Sequence, residues 1–186
     1  MRCVLDADTI GRRAQTIPKL LRPLLPPKQS LACRPRTMGR LIMFSPYSGP
    51  EPSEAGIEGY KFPTTIRRIR ATYYEHWTPT DFAKKSYAIE KAYLHLFLRN
   101  EQGDEDQIVA LHADPNESKN DKHYRYKAGP HIHMLTAADP LHHSHIGLNT
   151  PNLEHILGSV DLLTSALATA VSMISDQVLG MFTNTY

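Results

Sequence analysis

The residues best suited to chemistry lie between Tyr124 and Asn149, in YRYKAGPHIHMLTAADPLHHSHIGLN, which holds five of the chain's ten histidines. Four of them form two His-x-His pairs, His131/His133 and His143/His145, with His142 beside the second pair. An imidazole can give a ring-nitrogen lone pair to a metal, or take up and release a proton near neutral pH. Three or four such rings brought together would hold a divalent metal such as zinc and leave a position for a water whose pKa the metal lowers. In that reading His131, His133, His143 and His145 form a combined metal and catalytic site, with Asp139 or Asp114 as a further ligand or base. Without a metal, one neutral and one protonated imidazole would serve as general base and acid in cleaving RNA, where the 2′-hydroxyl attacks its own phosphate. Tyr124, Arg125, Tyr126 and Lys127 would then bind substrate, offering stacking surfaces and phosphate-binding cations. The third alternative is a noncatalytic interaction module whose histidines lie on the wet face of a sheet.

All three depend on what positions the histidines. In a strand, residues two apart share a face. Ile132 and Met134 therefore oppose His131 and His133, and Ile146 and Leu148 oppose His143 and His145. If the apolar set of both strands faces one core, all four histidines share the other face, and His142 does not. A symmetric antiparallel register centred on Ala138 pairs His131 with His145 and His133 with His143, with Cβ atoms about 4.5–5.5 Å apart. A slip of one residue in either strand would destroy the arrangement.

The preceding residues carry the same period. AYLHLFLR alternates Leu94, Leu96 and Leu98 against Tyr93, His95 and Phe97, and QIVALHA alternates around Val109 and Leu111. The polar run NEQGDED between them predicts a β-hairpin, with His95 and His112 facing away from the core. Thr65 to Trp77 mixes helical and strand signals, Trp77 is expected to anchor packing, and Thr80-Asp81 predicts a cap for a short helix through Ala88. Beyond Asn149 the spacing turns helical. Val160, Leu163, Leu167, Ala170, Ile174 and Val178 share one face, Ser159 or Thr150-Pro151 marks the start, and Gly180 marks the end. That face is expected to cover the sheet, with a homodimer through the helix as the alternative use.

A hydrophobic content of 41% and a charged content of 22% fit a folded body. The net charge of +2 conceals an asymmetry, since residues 1 to 40 carry nine Lys/Arg against Asp6 and Asp8. That excess, with the prolines of TIPKLLRPLLPPKQS and SPYSGPEPSEAG, predicts a poorly ordered basic arm over residues 1–56, either anion-binding or solvated. Both cysteines, Cys3 and Cys33, fall in that arm, so neither a disulfide framework nor a thiolate site is expected in the rest. Leu162 to Ser175 is too short to span a bilayer, and no membrane association is expected. The expected location is the cytoplasm.

Two histidine families fail on these residues. HIHML stops at two alternating histidines where the histidine-triad hydrolases need three, and the 2H phosphoesterases need Ser or Thr two positions after each histidine. Tyr124-Arg125-Tyr126, Pro130-His131, Pro140 and the HHSH cluster together resemble a stretch of TumE-type proteins of toxin–antitoxin modules, over about 25 residues. Lys127-Ala128-Gly129 stands where that family has an Asp-Asn-containing turn. The resemblance implies a toxin-like role and an antitoxin-like protein partner.

The sequence thus predicts one α+β domain over residues 57–186, an antiparallel β-meander with a long C-terminal helix packed on one face. The expected function is a histidine site acting on a phosphoester, RNA first among the candidates.

Overall fold

The computed structural model describes residues 2–52, 60–81, 83–113, 131–135, 143–147 and 153–183; for 131–135, 143–147, 153, 154 and 183 it describes the backbone alone. The fold is α+β, an antiparallel curled sheet with helices on one face. Its strands in chain order are β1 (Val4–Asp6), β2 (Arg36–Met38), β3 (Leu41–Phe44), β4 (Phe62–Pro63), β5 (Ile69–Asp81), β6 (Ser86–Arg99), β7 (Glu105–Ala113), β8 (His131–Leu135) and β9 (His143–Gly147). They lie in the order β2-β3-β5-β6-β7-β8-β9, with β1 added to β6 and β4 to β5. From β5 onward each strand pairs with the next in sequence, which is the expected meander.

Alternation assigns the two faces. On one, Tyr73, Glu75 and Trp77 of β5, Leu94 and Leu96 of β6, and Val109, Leu111 and Ala113 of β7 are all buried. Helix α1 (Ala7–Leu20) and helix α3 (Val160–Met173) cover that face, following the short α2 (Leu153–Ile156) in the latter case. The predicted C-terminal helix is present, and Ser159 caps it by accepting the Leu162 amide at 3.5 Å. Leu163, Leu167, Ala170, Ile174 and Val178 are buried as expected. Gly180 does not end it. The chain widens into a π-helical turn over Ile174–Leu179 and continues helical to Thr183. The run Val160–Phe182 has the length and composition of a membrane span, but its apolar side is built into the core beneath the sheet.

Two further expectations about the fold need correction. The first is the poorly ordered arm over residues 1–56: β1, α1, β2 and β3 all lie within it, and Ile10, Ala14, Ile17, Leu21 and Leu24 are completely buried in the main core. Their spacing of three and four is a helical stripe. The prolines do not prevent it, because Pro18 falls in the last turn of α1 and Pro23 opens a 3-10 turn over Arg22–Leu24. Asp6 caps α1, accepting the Thr9 amide at 2.7 Å. The ordered fold therefore begins well before residue 57. The second correction concerns Thr80-Asp81, which starts no helix. β5 runs to Asp81, which accepts the Lys84 amide at 3.2 Å in a tight turn with Lys85 at φ 51°, and Ser86 begins β6. Asp81 does bond a backbone amide three residues on, but in a hairpin turn and not at a helix start.

The β6–β7 hairpin follows the sequence. Asn100 accepts the Asp104 amide at 2.8 Å, and Gly103 sits at φ +95°, where a side chain would be strained. Trp77 is fully buried, as expected of an anchor.

One polar group lies inside the apolar core. Arg13 of α1 grips the Glu75 carboxylate, with Nε 3.0 and 2.9 Å from its two oxygens and Nη2 2.6 Å from Oε1. Trp77 Nε1 donates to Oε2 at 3.1 Å, the Tyr73 hydroxyl donates to Oε1, and Arg13 Nη1 donates to Thr164 of α3 at 2.7 Å. Burial works most strongly against the Arg13 charge, and the Glu75 charge, its hydrogen bonds and Tyr73 together outweigh it, so the guanidinium is held protonated. Burial and then the Glu75 charge push the Tyr73 phenol well up, so it stays a donor. A buried ion pair satisfied on every side costs little net, but an orphaned partner costs several kcal/mol. Arg13→Met is therefore expected to destabilise the fold by about 3–5 kcal/mol in urea denaturation. Ile17→Ala is expected to cost about 2–5 kcal/mol. Removing residues 1–37 is expected to abolish the cooperative transition.

Candidate functional site

The opposite face of the sheet is where imidazole and phenol rings collect. Two residues apart along β5 stand Thr72, Tyr74 and His76; along β6, Lys91, Tyr93, His95 and Phe97; along β7, Ala110 and His112. The register aligns them in rows. Tyr74, Tyr93 and His112 are successive cross-strand partners, as are Thr72, His95 and Ala110. Bulges at His76/Trp77 and Leu96/Phe97 lie at the ends of this patch, so parity is kept throughout it.

The rings pack in order. Tyr93 stacks on His112 with centroids 4.3 Å apart and planes at 23°, and on His95 at 5.6 Å and 26°. Tyr74 meets Tyr93 edge-on at 5.4 Å and lies 5.3 Å from His76. The Lys91 ammonium stands 5.4 Å from the Tyr74 ring centre and 5.6 Å from that of Tyr93, within cation–π range. Lys61 sits 4.1 Å from the Phe97 centroid, and its ammonium is 2.5 Å from a Glu105 oxygen. That hydrogen bond holds the Glu105 carboxyl below its usual range.

At the centre, His95 Nε2 and His112 Nε2 are 3.1 Å apart. Two chemistries bring ring nitrogens so close. One ring can donate N–H to the other's lone pair, or both lone pairs can point at a shared cation. With metal–nitrogen bonds of about 2.0–2.1 Å, tetrahedral ligands have nitrogens about 3.3 Å apart. The observed separation suits either.

The register carries the rows onto β8 and β9. His131 is the cross-strand partner of His112, and His133 is the partner of Ala110. His145 pairs with His133, His131 with Gly147, and Leu135 with His143. The expected register centred on Ala138 is therefore displaced by two residues: His131 does not pair with His145, nor His133 with His143. Because the displacement is even, all four histidines keep positions on the face that carries His95 and His112. Ile132 and Met134 pair with Leu111 and Val109, both buried in the core, and Ile132 also pairs with Ile146. The side chains of His131, His133, His143 and His145 lie outside the described residues. So do Tyr124, Arg125, Tyr126 and Lys127, Asp114, Asp139, Leu148, Thr150 and Pro151, and most of the stretch that resembles TumE-type proteins.

The sequence had already turned His95 and His112 outward, but not into the site. The missing information was the register of β7 against β8, which the expected meander leaves open and local alternation cannot reveal. Tyr93 and Lys91 carried no signal of their own beyond their place in the same period. Of the two cysteines, Cys33 is buried in the core, where burial pushes its thiol far up, and burial also raises that of Cys3. Among the described residues no group of three or more His, Cys, Asp or Glu could hold a metal ion. Comparison with protein families, curated proteins and solved structures finds no match to the chain.

The stack of Tyr93 on His112 should orient the imidazole. Tyr93→Phe is expected to keep it, and Tyr93→Leu to lose about 0.5–1.5 kcal/mol of stability in urea denaturation.

Proposed function

We propose that the histidine face binds a divalent metal such as zinc and acts as a phosphoesterase, with RNA as the leading substrate. The reading rests on one observation: His95 and His112 meet through Nε2 at 3.1 Å, and the register brings the β8 and β9 histidines to positions beside them. A metal so held would supply a water of lowered pKa as nucleophile. Lys91 would draw an anionic phosphate toward the Tyr74 and Tyr93 rings, and Arg125 and Lys127 would add cations for a longer nucleic acid. A cytoplasmic, toxin-like role with an antitoxin-like partner would accord with the TumE-type resemblance.

The same contact supports a second reading. If one imidazole donates to the other, the pair is poised as general acid and base, and RNA is cleaved without a metal. A noncatalytic binding surface is the alternative to both.

Protein purified without a metal-affinity tag should carry about one zinc per chain. It should hydrolyse bis(4-nitrophenyl) phosphate or single-stranded RNA and lose that activity to a chelator. His95→Ala/His112→Ala should lose the zinc, and activity should fall by more than the roughly 10–100-fold typical of outer-shell changes. RNA cleavage that survives chelation would select the metal-free reading. Neither metal nor cleavage in a folded protein would leave the binding surface.

A further inference from the structure

A second surface lies beside α1, which covers the sheet face opposite the histidines. Between the last turn of α1 and the loop that follows it, an open groove of about 330 Å³ is lined by Lys19, Arg22 and Lys28. Pro18, Leu25, Pro27 and Leu31 supply its apolar walls, and none of the described residues that line it is acidic. The chain carries no Asp or Glu between Asp8 and Glu51, so nothing in the same segment offsets these charges. We infer that this groove docks an acidic peptide segment of a partner protein, one that joins carboxylates to an apolar side chain. The inference is independent of the phosphoesterase reading.

The walls are held in place by the fold. Leu24 and Leu25 are buried in the main core and root the loop, and the Thr65 amide donates to the Leu24 carbonyl at 2.9 Å. The Gln29 amide closes a turn on the Pro26 carbonyl at 3.0 Å. Arg22 clasps that turn: Nη1 donates to the Pro26 and Gln29 carbonyls at 2.9 and 3.3 Å, and Nη2 donates to that of Pro27. These carbonyls orient the guanidinium without cancelling its charge. A wall already fixed in this way has little freedom to lose when a partner binds.

The groove also has donors to spare. Lys19 and Lys28 are exposed and make no ion pair or hydrogen bond among the described residues. Lys19 offsets the carbonyl end of α1 as well, but Lys28 has no such second role. The Lys28, Ser30 and Leu31 amides donate to no group among the described residues. Side-chain carboxylates match the cations, main-chain carbonyls match the amides, and Pro18 and Leu31 offer a seat to an apolar residue. None of the described residues lining the groove is aromatic, so it lacks the stacking platform that a single-stranded nucleic acid would use.

The test is selection of short random peptides displayed on phage against the full-length chain. Enriched sequences would then be synthesised with a fluorescent label and titrated by anisotropy, with circular dichroism to confirm the fold of each variant. Enrichment should favour peptides that combine Asp or Glu with an apolar residue. Lys19→Glu/Lys28→Glu should weaken their binding by more than about tenfold, since each lost contact to a charged group is worth about that much. Arg40→Glu/Arg67→Glu makes the same change of charge at exposed positions that do not line the groove, and should bind as the wild type does. Arg22→Met should also weaken binding, through loss of both the charge and the clasp. Failure to enrich acidic peptides, unchanged affinity in Lys19→Glu/Lys28→Glu, or equal weakening in Arg40→Glu/Arg67→Glu would overturn the inference. Oligouridylate binding that is lost in Lys19→Glu/Lys28→Glu, with no acidic peptide enriched, would make the groove a nucleic-acid site instead.

Discussion

The parity of the β5–β8 strands is the constraint on which the rest depends. Because side chains alternate, burying Tyr73, Leu94, Leu96, Val109 and Leu111 under the helices commits Tyr74, Tyr93, His95, Ala110 and His112 to the other face. A slip of one residue anywhere between the two bulges would place imidazoles in the core and leucines outside it. The apolar core and the histidine face are thus one specification read from two sides. The bulges fall at the ends of this patch, where the strands twist and bend without moving any row within it.

What makes one face the core is the pair of helices, and Arg13 with Glu75 fixes where they sit. The guanidinium joins α1 to β5 through the carboxylate and to α3 through Thr164, in surroundings with almost no water. An apolar stripe can slide on an apolar sheet at little cost, but a bidentate ion pair has one good geometry. We read the pair as a register device for the helix layer more than as a source of net stability. Glu75 lies in the strand between Tyr74 and His76, so the element that the lock holds also carries part of the ring array.

The sequence was most legible where period and location coincide. Leu94, Leu96 and Leu98 against Tyr93, His95 and Phe97 identified β6, and the polar turn identified its hairpin with β7. Ser159 and the stripe from Leu163 to Val178 identified α3. Helix α1 was obscured because Pro18, Pro23, Pro26 and Pro27 outweighed Ile10, Ala14, Ile17 and Leu21 in the reading, although prolines at helix ends interrupt little. The two-residue error in pairing β8 with β9 came from assuming a symmetric connection; turn geometry sets that centre, and alternation cannot. The site was sought within one hairpin, whereas the register spreads its positions over four strands. No periodicity within 25 residues contains the fact that Ala110 lies between His95 and His133.

The most direct measurement is anomalous diffraction at the zinc absorption edge from crystals of the full-length chain grown with zinc(II). The expected result is one strong peak on the histidine face, about 2.0–2.1 Å from ring nitrogens of His95 and His112. A peak bridging β8 and β9 alone, or no peak on this face in zinc-soaked crystals, would contradict the account.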